Sequence, residues 1–294
     1  MRVFFLETRP QFLLLSVVLA FLGASIAWYD GAFHLGHAVL AFIGLLLAHI
    51  SANVLNDYFD YRSGIDLETK RTPFSGGSGI LPAGMLRPGQ ALWFGLIAFL
   101  LTIPVGIYFV VVVGWALLPL IVVGALCVLL YTPLLTKIGW PEWAPGVGLG
   151  TLPVLGAYFV QTGDYTLPAV VAAIPSGILV HNLLFLNEFP DVEADKKGGR
   201  KTLPITLGKA RASVLYSALT VGVYAWIIGG VATRMMPAFS LVALLTLPLA
   251  VKAIQGARKY HDETKLMPAL GSNVMLILLT QLLMGIGYIL ARVF

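Results

Sequence analysis

Long apolar stretches separated by short polar segments run along all 294 residues of the chain. A helix needs about 20 apolar residues to cross the hydrocarbon core of a bilayer. Nine stretches meet this requirement, at residues 11–29, 34–57, 91–111, 115–135, 143–161, 167–188, 211–231, 237–255 and 267–291. The pattern predicts an all-α membrane protein with nine transmembrane helices in a single bundle.

The composition agrees with this prediction and adds a domain boundary. The chain is 58% hydrophobic and 11% charged, whereas soluble domains carry about 25% charged residues. No polar segment is long enough for a separate soluble domain, so we expect residues 1–294 to form one polytopic domain. The single cysteine, Cys127, lies in an apolar stretch and excludes a disulfide framework or a cysteine-based metal site.

Basic residues flank the apolar stretches and predict the orientation of the bundle. With the N-terminus inside, all but two of the 19 lysines and arginines fall in inner segments, and Arg234 and Arg292 remain outside. Cytoplasmic loops carry an excess of Lys and Arg, so we expect a cytoplasmic N-terminus. The net charge of +5 then reflects topology, and we expect no nucleic acid partner.

Acidic residues follow the same division, and most of them form two clusters on the inner side. The first cluster begins with Asn56, and Asp57 and Asp60 lie within one helical turn of it, where side chains are neighbours. The partial negative charge at a helix C-terminus disfavours carboxylates there unless a cation is bound. Asp66 follows in the next loop, and these four residues form the first acidic motif.

The second acidic motif consists of Asn187, Asp191 and Asp195, which are spaced four residues apart. They form one stripe if the sixth helix continues past residue 188. Pro190 leaves two alternatives, because a proline either kinks a helix or begins a new one. We expect Glu188 and Glu193 to point away from this stripe, toward water or toward Lys196 and Lys197.

Two acidic motifs on one membrane face indicate a site for a magnesium-bound diphosphate. Carboxylates are costly near a bilayer and mark functional sites there. Carboxylate and amide oxygens suit Mg²⁺, which completes its octahedron with water and phosphate oxygens. The alternative is that these acids are solvated loop residues beside basic partners. That alternative explains a single acid more easily than two matched motifs, each of which begins with asparagine.

The paired motifs resemble those of the UbiA superfamily of intramembrane prenyltransferases over essentially the whole chain. The family pattern Asn-Asp-x-x-Asp matches Asn56, Asp57 and Asp60, and the pattern Asp-x-x-x-Asp matches Asp191 and Asp195. The stretch from Asn56 to Asp66 and the sequence Asn-Glu-Phe-Pro-Asp at 187–191 are similar to the 1,4-dihydroxy-2-naphthoate prenyltransferases of menaquinone synthesis. Five residues lie between Asp60 and Asp66 in this chain, whereas the family usually has three residues between the corresponding aspartates.

This resemblance implies transfer of a prenyl group from a prenyl diphosphate to an aromatic quinone precursor, with Mg²⁺ as cofactor. The implied metal ligands are Asn56, Asp57, Asp60, Asp66, Asn187, Asp191 and Asp195, of which Asp57 and Asp66 either bind through water or hold basic residues in place. Asp60 and Asp191 are also the implied catalytic residues, together with Tyr131 and Lys137. Tyr131 either stabilises the allylic cation or diphosphate, or anchors the helix at the membrane interface.

The leaving diphosphate requires basic residues, because two metal ions do not cancel all of its charge. Candidates near the motifs are Arg62, Arg71, Lys137, Lys197, Arg200 and Lys201. Their alternative role is orientation and contact with lipid headgroups. His181 and Asn182 lie one or two turns before Asn187, and they either face the acceptor pocket or form a hydrogen-bonded core pair.

Several activities are compatible with these features. Other acceptors, namely 4-hydroxybenzoate or an ether-lipid precursor, and terpene cyclisation share the same diphosphate chemistry. A secondary transporter is a more distant alternative, because transporter sites lie near the bilayer midplane, whereas these acids lie at its rim. We expect a multi-pass membrane protein, in the cytoplasmic membrane of a prokaryote, whose active site faces the cytoplasm. Its expected partners are the two substrates and membrane lipid, with no obligate protein partner.

Overall fold

The computed structural model describes residues 1–69 and 71–294 and confirms the all-α fold, since those ranges contain helices and no strand. Within them, nine helical segments are long and apolar enough to cross a membrane. Spans 1 to 9 are Pro10–Tyr29, Leu35–Ser63, Pro88–Val112, Trp115–Ile138, Trp143–Thr162, Leu167–Lys197, Lys209–Ala232, Ala238–Arg258 and Glu263–Val293. Lys70, one of the basic residues assigned to the inner side, lies outside the described residues.

Four spans are built from more than one helical segment. Span 3 consists of Pro88–Leu100 and Thr102–Val112, and span 8 of the 3₁₀ segment Ala238–Thr246 and the α-helix Leu247–Arg258. Span 4 runs through Trp115–Leu117, Leu118–Leu130, Tyr131–Leu135 and Thr136–Ile138, and span 5 through Trp143–Gly146, Val147–Thr151 and Leu152–Thr162. Short helices outside the spans are Arg2–Glu7, Ile65–Glu68 and Leu203–Leu207.

Spans 4 and 5 each contain a π-helical turn, at Tyr131–Leu135 and Val147–Thr151. In span 4 the turn contains Pro133, which has no backbone N–H to donate and so favours a break in the α-helical ladder. Such turns widen a helix locally and are frequent at functional sites. Tyr131 is the first residue of its π turn.

Spans 2 and 6 continue beyond the apolar stretches that predicted them. Span 2 ends at Ser63 and is capped by Gly64, whose φ of 82° lies in the left-handed region that glycine adopts without strain. Span 6 ends at Lys197, so the helix passes through Pro190. Both acidic motifs therefore lie largely on helix, and Asn187, Asp191 and Asp195 form a single stripe.

The main apolar core is formed by spans 1, 5, 6, 7, 8 and 9. Span 1 packs against spans 2, 5 and 9, and span 6 packs against spans 5, 7 and 9. Fully buried side chains of this core include Leu19, Leu22, Ile26, Leu179 and Ile227. Spans 2, 3 and 4 are the least buried, and they complete the bundle on the side where its cavities lie.

Spans 5 and 6 approach each other at glycines. A Cβ atom added at Gly150 would lie 2.7 Å from the Ser176 carbonyl oxygen and 2.8 Å from Gly177 Cα. These are backbone atoms, which cannot move aside as a flexible side chain does. Glycine at this position is therefore required for the contact that holds span 5 against the polar face of span 6.

Gly150→Ala should lower the midpoint of thermal unfolding by roughly 3–10 °C, because overpacking costs about 1–3 kcal/mol. The matched control is Gly222→Ala, where an added Cβ meets no described atom within 4 Å. The measurement is thermal unfolding of both purified variants in detergent. Equal midpoints for Gly150→Ala and the unmodified chain would contradict the tight contact.

Candidate active site

One cavity, here called the polar cavity, brings the two acidic motifs together. Its lining includes Asn56 and Asp60 from span 2, Asp66 from the short helix that follows, and Asn187, Asp191 and Asp195 from span 6. Motif residues separated by more than 120 positions in the chain thus face the same space. The cavity is closed by residues of spans 1, 4 and 5 and by Ser75, Gly76 and Gly77 of the loop between spans 2 and 3.

Arg200 links the two motifs directly. Its Nη1 donates to Asp195 Oδ1 at 2.9 Å, and its Nη2 pairs with Asp60 Oδ1. Burial lowers the pKa of this guanidinium, but the charges of Asp60 and Asp195 oppose burial and leave its pKa raised overall. The carboxylates of the two motifs are therefore separated by a single guanidinium group.

Arg9 forms a second buried ion pair at the edge of the cavity. Its guanidinium pairs with Asp57 and donates to Asn56 Oδ1 at 3.1 Å. The other oxygen of Asp57 accepts from the Ser78 backbone N–H at 2.9 Å. Asp57 is absent from the lining of the polar cavity, so in this structure it holds a basic residue and the covering loop in place.

Asp66 lies under the glycine loop that covers the cavity. A Cβ added at Gly77 would be 2.8 Å from Asp66 Oδ2, and the φ of 70° at Gly77 also favours glycine. Burial raises the pKa of Asp66 to about 7, the charge of Asp60 adds to this shift, and Arg9 and Arg200 oppose it. A bound proton would therefore compete with a cation at this carboxylate near neutral pH.

The donor set of the cavity fits a divalent cation. Five carboxylates but only two guanidinium groups are among its lining residues. Asn187 Oδ1 and Asp195 Oδ2 are buried without a hydrogen-bond partner in the described ranges, and such oxygens are costly unless a ligand binds them. In those ranges no three acidic, histidine or cysteine side chains are grouped closely enough to hold a metal ion, and Arg200 pairs with both Asp60 and Asp195.

Of the basic residues predicted to bind diphosphate, only one lines the polar cavity in the part of the chain that the structure describes. Arg200 lines the polar cavity, whereas the others are exposed and absent from its lining: Arg62, Arg71, Lys137, Lys197 and Lys201. Lys197 pairs with Glu68 at 2.6 Å on the surface. The backbone N–H of Lys201 donates to Thr136 O at 2.8 Å, which docks its loop on the end of span 4. Diphosphate binding by these five residues stays a prediction.

Tyr131 and the pair His181 and Asn182 lie in different surroundings. Tyr131 lines the polar cavity. His181 accepts from Trp140 Nε1 at 3.0 Å, and Asn182 Nδ2 donates to Thr220 Oγ1 at 3.0 Å. The two side chains contact each other at 3.2 Å and do not line the cavity, so the structure shows the hydrogen-bonded core pair.

Sequence reasoning missed two charged residues of the cavity, Arg9 and Glu188. Arg9 precedes the first apolar stretch, where a basic residue resembles one that sets the orientation of the helix. Its partner Asp57 is 48 positions away, so the local sequence does not indicate the pair. The expectation that Glu188 points away was wrong, since it is 8% exposed, lines the cavity and lies beside Glu142. The same expectation for Glu193 is confirmed by its contact with Lys196 at 3.4 Å.

A second space, here called the apolar cavity, adjoins the polar cavity and lies between spans 2, 3, 4 and 5. The two cavities share Val128, Gly148 and Leu149 as wall residues. The apolar cavity is lined almost entirely by hydrocarbon and glycine, including Gly44, Gly106, Gly124 and Gly156. A ligand with a charged head and a long apolar tail fits this pair of cavities.

Comparison with known proteins agrees with the geometry. The model of the UbiA prenyltransferase family matches residues 16–279. The chain is 30% identical over 291 residues to the 1,4-dihydroxy-2-naphthoate octaprenyltransferase of Bacillus subtilis (strain 168), which covers 97% of this chain and 91% of that protein.

Solved structures share the fold at lower identity. One solved structure comes from work on the biosynthesis of digeranylgeranylglyceryl phosphate synthase in membranes. It matches this chain with a TM-score of 0.68 at 18% identity, and the match covers 98% of both chains. A UbiA homologue from Archaeoglobus fulgidus, bound to GPP and Mg²⁺, has a TM-score of 0.65 at 13% identity, covering 98% of this chain and 99% of that one. The chain therefore belongs to the UbiA prenyltransferase family and is a multi-pass membrane prenyltransferase.

Proposed function

We propose that this protein transfers a prenyl group from a prenyl diphosphate to 1,4-dihydroxy-2-naphthoate, in a magnesium-dependent reaction. The observation that carries the proposal is the meeting of both acidic motifs in one polar cavity that adjoins an apolar cavity. The acceptor is supported by the name of the Bacillus subtilis relative and by the Asn-Glu-Phe-Pro-Asp sequence at 187–191.

The metal ligands in this proposal are Asn56, Asp60, Asp191 and Asp195, with Asp66 and Asn187 beside them. Their oxygen donors and their excess of negative charge are the properties that Mg²⁺ selects. The structure of the Archaeoglobus fulgidus homologue with GPP and Mg²⁺ gives further support. When bound, the cation neutralises charge on the leaving diphosphate and orients it.

Residues of the chain itself bind the phosphate oxygens, stabilise the allylic cation and exclude water. Arg200 is buried against Asp60 and Asp195, and a guanidinium there can transfer hydrogen bonds to phosphate oxygens through its planar fork. Tyr131 lines the same cavity, and an aromatic face there would stabilise a developing allylic cation. The apolar cavity holds the prenyl chain and excludes water, which would otherwise capture that cation.

The overall reaction balances without a redox partner. The allylic carbon–oxygen bond breaks and leaves its electron pair on diphosphate, and a ring π pair forms the new carbon–carbon bond. With dihydroxynaphthoate as acceptor, the ring also loses its carboxylate. Each product molecule should therefore accompany one diphosphate and one carbon dioxide.

We infer that the polar cavity faces the cytoplasm. Support comes from the basic residues, all but two of which fall on one side when the N-terminus is placed inside. Arg200 and the glycine loop at Gly76 and Gly77 belong to segments on that same side. A cytoplasmic opening would expose the cavity to water-soluble prenyl diphosphates.

Product formation should depend on both the acceptor and Mg²⁺. We expect purified protein with geranyl diphosphate and Mg²⁺ to prenylate dihydroxynaphthoate and to release diphosphate and carbon dioxide in equal amounts, measured by mass spectrometry and gas analysis. Parallel reactions contain 4-hydroxybenzoate, an ether-lipid precursor, or no acceptor. A product with one of those acceptors alone would reassign the substrate, and a cyclic hydrocarbon without acceptor would indicate a terpene cyclase.

Asp60→Asn and Asp191→Asn should each reduce kcat/KM by at least about 100-fold, because each removes a charge that holds the cation and diphosphate. The activity of Asp60→Asn should partly return at high Mg²⁺ if metal affinity is what was lost. Asp164→Asn is the matched control, since Asp164 is exposed in the loop between spans 5 and 6. Full activity in both motif variants would remove the metal-site assignment.

Sealed membrane vesicles test the orientation. Geranyl diphosphate added outside should be consumed by inverted vesicles and not by right-side-out vesicles, because the diphosphate does not cross the bilayer. Detergent should equalise the two preparations. The opposite preference would place the cavity on the outer face while leaving the chemistry intact.

A further inference from the structure

His49 is a buried polar side chain of the cavity that neither acidic motif includes. It lies on span 2, is 3% exposed, and lines the polar cavity. Its Nδ1 lies 2.8 Å from Ser16 Oγ of span 1. Within the described ranges the only hydrogen bond of the His49 side chain is this one at Nδ1, which leaves the other ring nitrogen, Nε2, available to a ligand in the cavity.

The position of His49 places it deeper in the bundle than the motifs. It lies seven positions before Asn56, which corresponds to two helical turns and about 10 Å along the same face of span 2. The cavity lining also includes the apolar side chains Phe12, Leu15 and Leu183. Because His49 lines the cavity and its Nε2 is not committed to a protein partner, this nitrogen offers a hydrogen-bonding position to a bound ligand.

The prenyl diphosphate cannot fill that position. Its charged head belongs at the acidic motifs, and its tail is hydrocarbon without a hydrogen-bonding group. The apolar cavity, which shares Val128, Gly148 and Leu149 with the polar cavity, also offers the tail a separate place. The aromatic acceptor, in contrast, is a flat apolar ring that carries hydroxyl groups.

We propose that His49 binds a ring hydroxyl of the aromatic acceptor through Nε2 and thereby orients the acceptor beneath the allylic carbon. The proposal rests on the proposed function and identifies a residue that selects its second substrate. Ser16 is then a positioning residue. With the Nδ1 proton donated to Ser16 Oγ, the Nε2 lone pair points to the hydroxyl, because the two nitrogens of a neutral imidazole take opposite roles.

This contact also has a consequence for the reaction. As the ring donates its π pair to the allylic carbon, positive charge spreads to the hydroxyl oxygen and strengthens the hydrogen bond that the hydroxyl donates. An interaction that strengthens in the transition state raises kcat as well as affinity. Loss of His49 should therefore affect the kinetics of the acceptor and leave binding of the prenyl diphosphate nearly unchanged.

The first test compares His49→Phe, which keeps a flat ring, with His49→Gln, which keeps a polar group at the reach of Nε2. Steady-state kinetics with Mg²⁺, geranyl diphosphate and dihydroxynaphthoate should show kcat/KM for the acceptor reduced roughly 10- to 100-fold in His49→Phe. The KM for geranyl diphosphate should stay within about twofold. His49→Gln should recover part of the loss, and His261→Phe, in an exposed loop, should match the unmodified chain.

The second test uses acceptors in which one hydroxyl is blocked as a methyl ether. The ether at the recognised position should be a poor substrate for the unmodified protein, and His49→Phe should lose little further activity with it. Such non-additivity identifies a direct contact. The proposal would be overturned if the substitution His49→Phe and the methyl ether reduced kcat/KM independently of each other. It would also be overturned if His49→Phe reduced kcat/KM equally for the acceptor and for geranyl diphosphate.

Two outcomes separate this inference from the proposed function. If no aromatic acceptor reacts with the unmodified protein, the proposed function itself fails. If dihydroxynaphthoate reacts and acceptor kinetics are unchanged in His49→Phe, only the role of His49 fails. If His49→Phe does not fold, His49→Gln and the methyl ethers decide the question with the same non-additivity.

Discussion

The arrangement depends on one electrostatic constraint, the gathering of carboxylates from two distant parts of the chain at the rim of a bilayer. Like charges this close repel, and burial in low dielectric increases the cost. Arg200 reduces that cost by pairing with Asp60 and Asp195 at once. The same guanidinium therefore holds spans 2 and 6 in register and marks the position that a more highly charged ligand would compete for.

Around this centre the bundle separates polar from apolar functions. The N-terminal segment and the glycine loop cover the charged end, linked by Arg9 and Asp57 and by the hydrogen bond from Ser78 to Glu7 at 2.8 Å. Spans 4 and 5 widen into π turns beside the cavity and are lined by small residues beyond it. The fold therefore supplies a charged and an apolar environment in adjacent spaces. The proposed prenyl diphosphate requires both, one for its diphosphate and one for its hydrocarbon chain.

The span pattern was predictable because a bilayer imposes a length and an apolar composition on every crossing helix. The ends were less predictable. The apolar stretches end at residues 57 and 188, yet spans 2 and 6 continue to Ser63 and Lys197, and Arg200 pairs with a carboxylate on each extension. Glu188 shows the limit most directly, since its burial beside Glu142 depends on the position of the loop before span 5.

The sequence alone determined the fold class, the number of spans and the two acidic motifs, since periodicity, composition and spacing are local properties. Tertiary structure decided which charged groups share the cavity. Arg9 and Arg200 enter it, whereas Arg62 and Lys197 face outward, although all four are basic residues near the ends of spans. It also decided that His181 packs in the core while His49 lines the cavity, because the direction of a side chain depends on how neighbouring helices are packed.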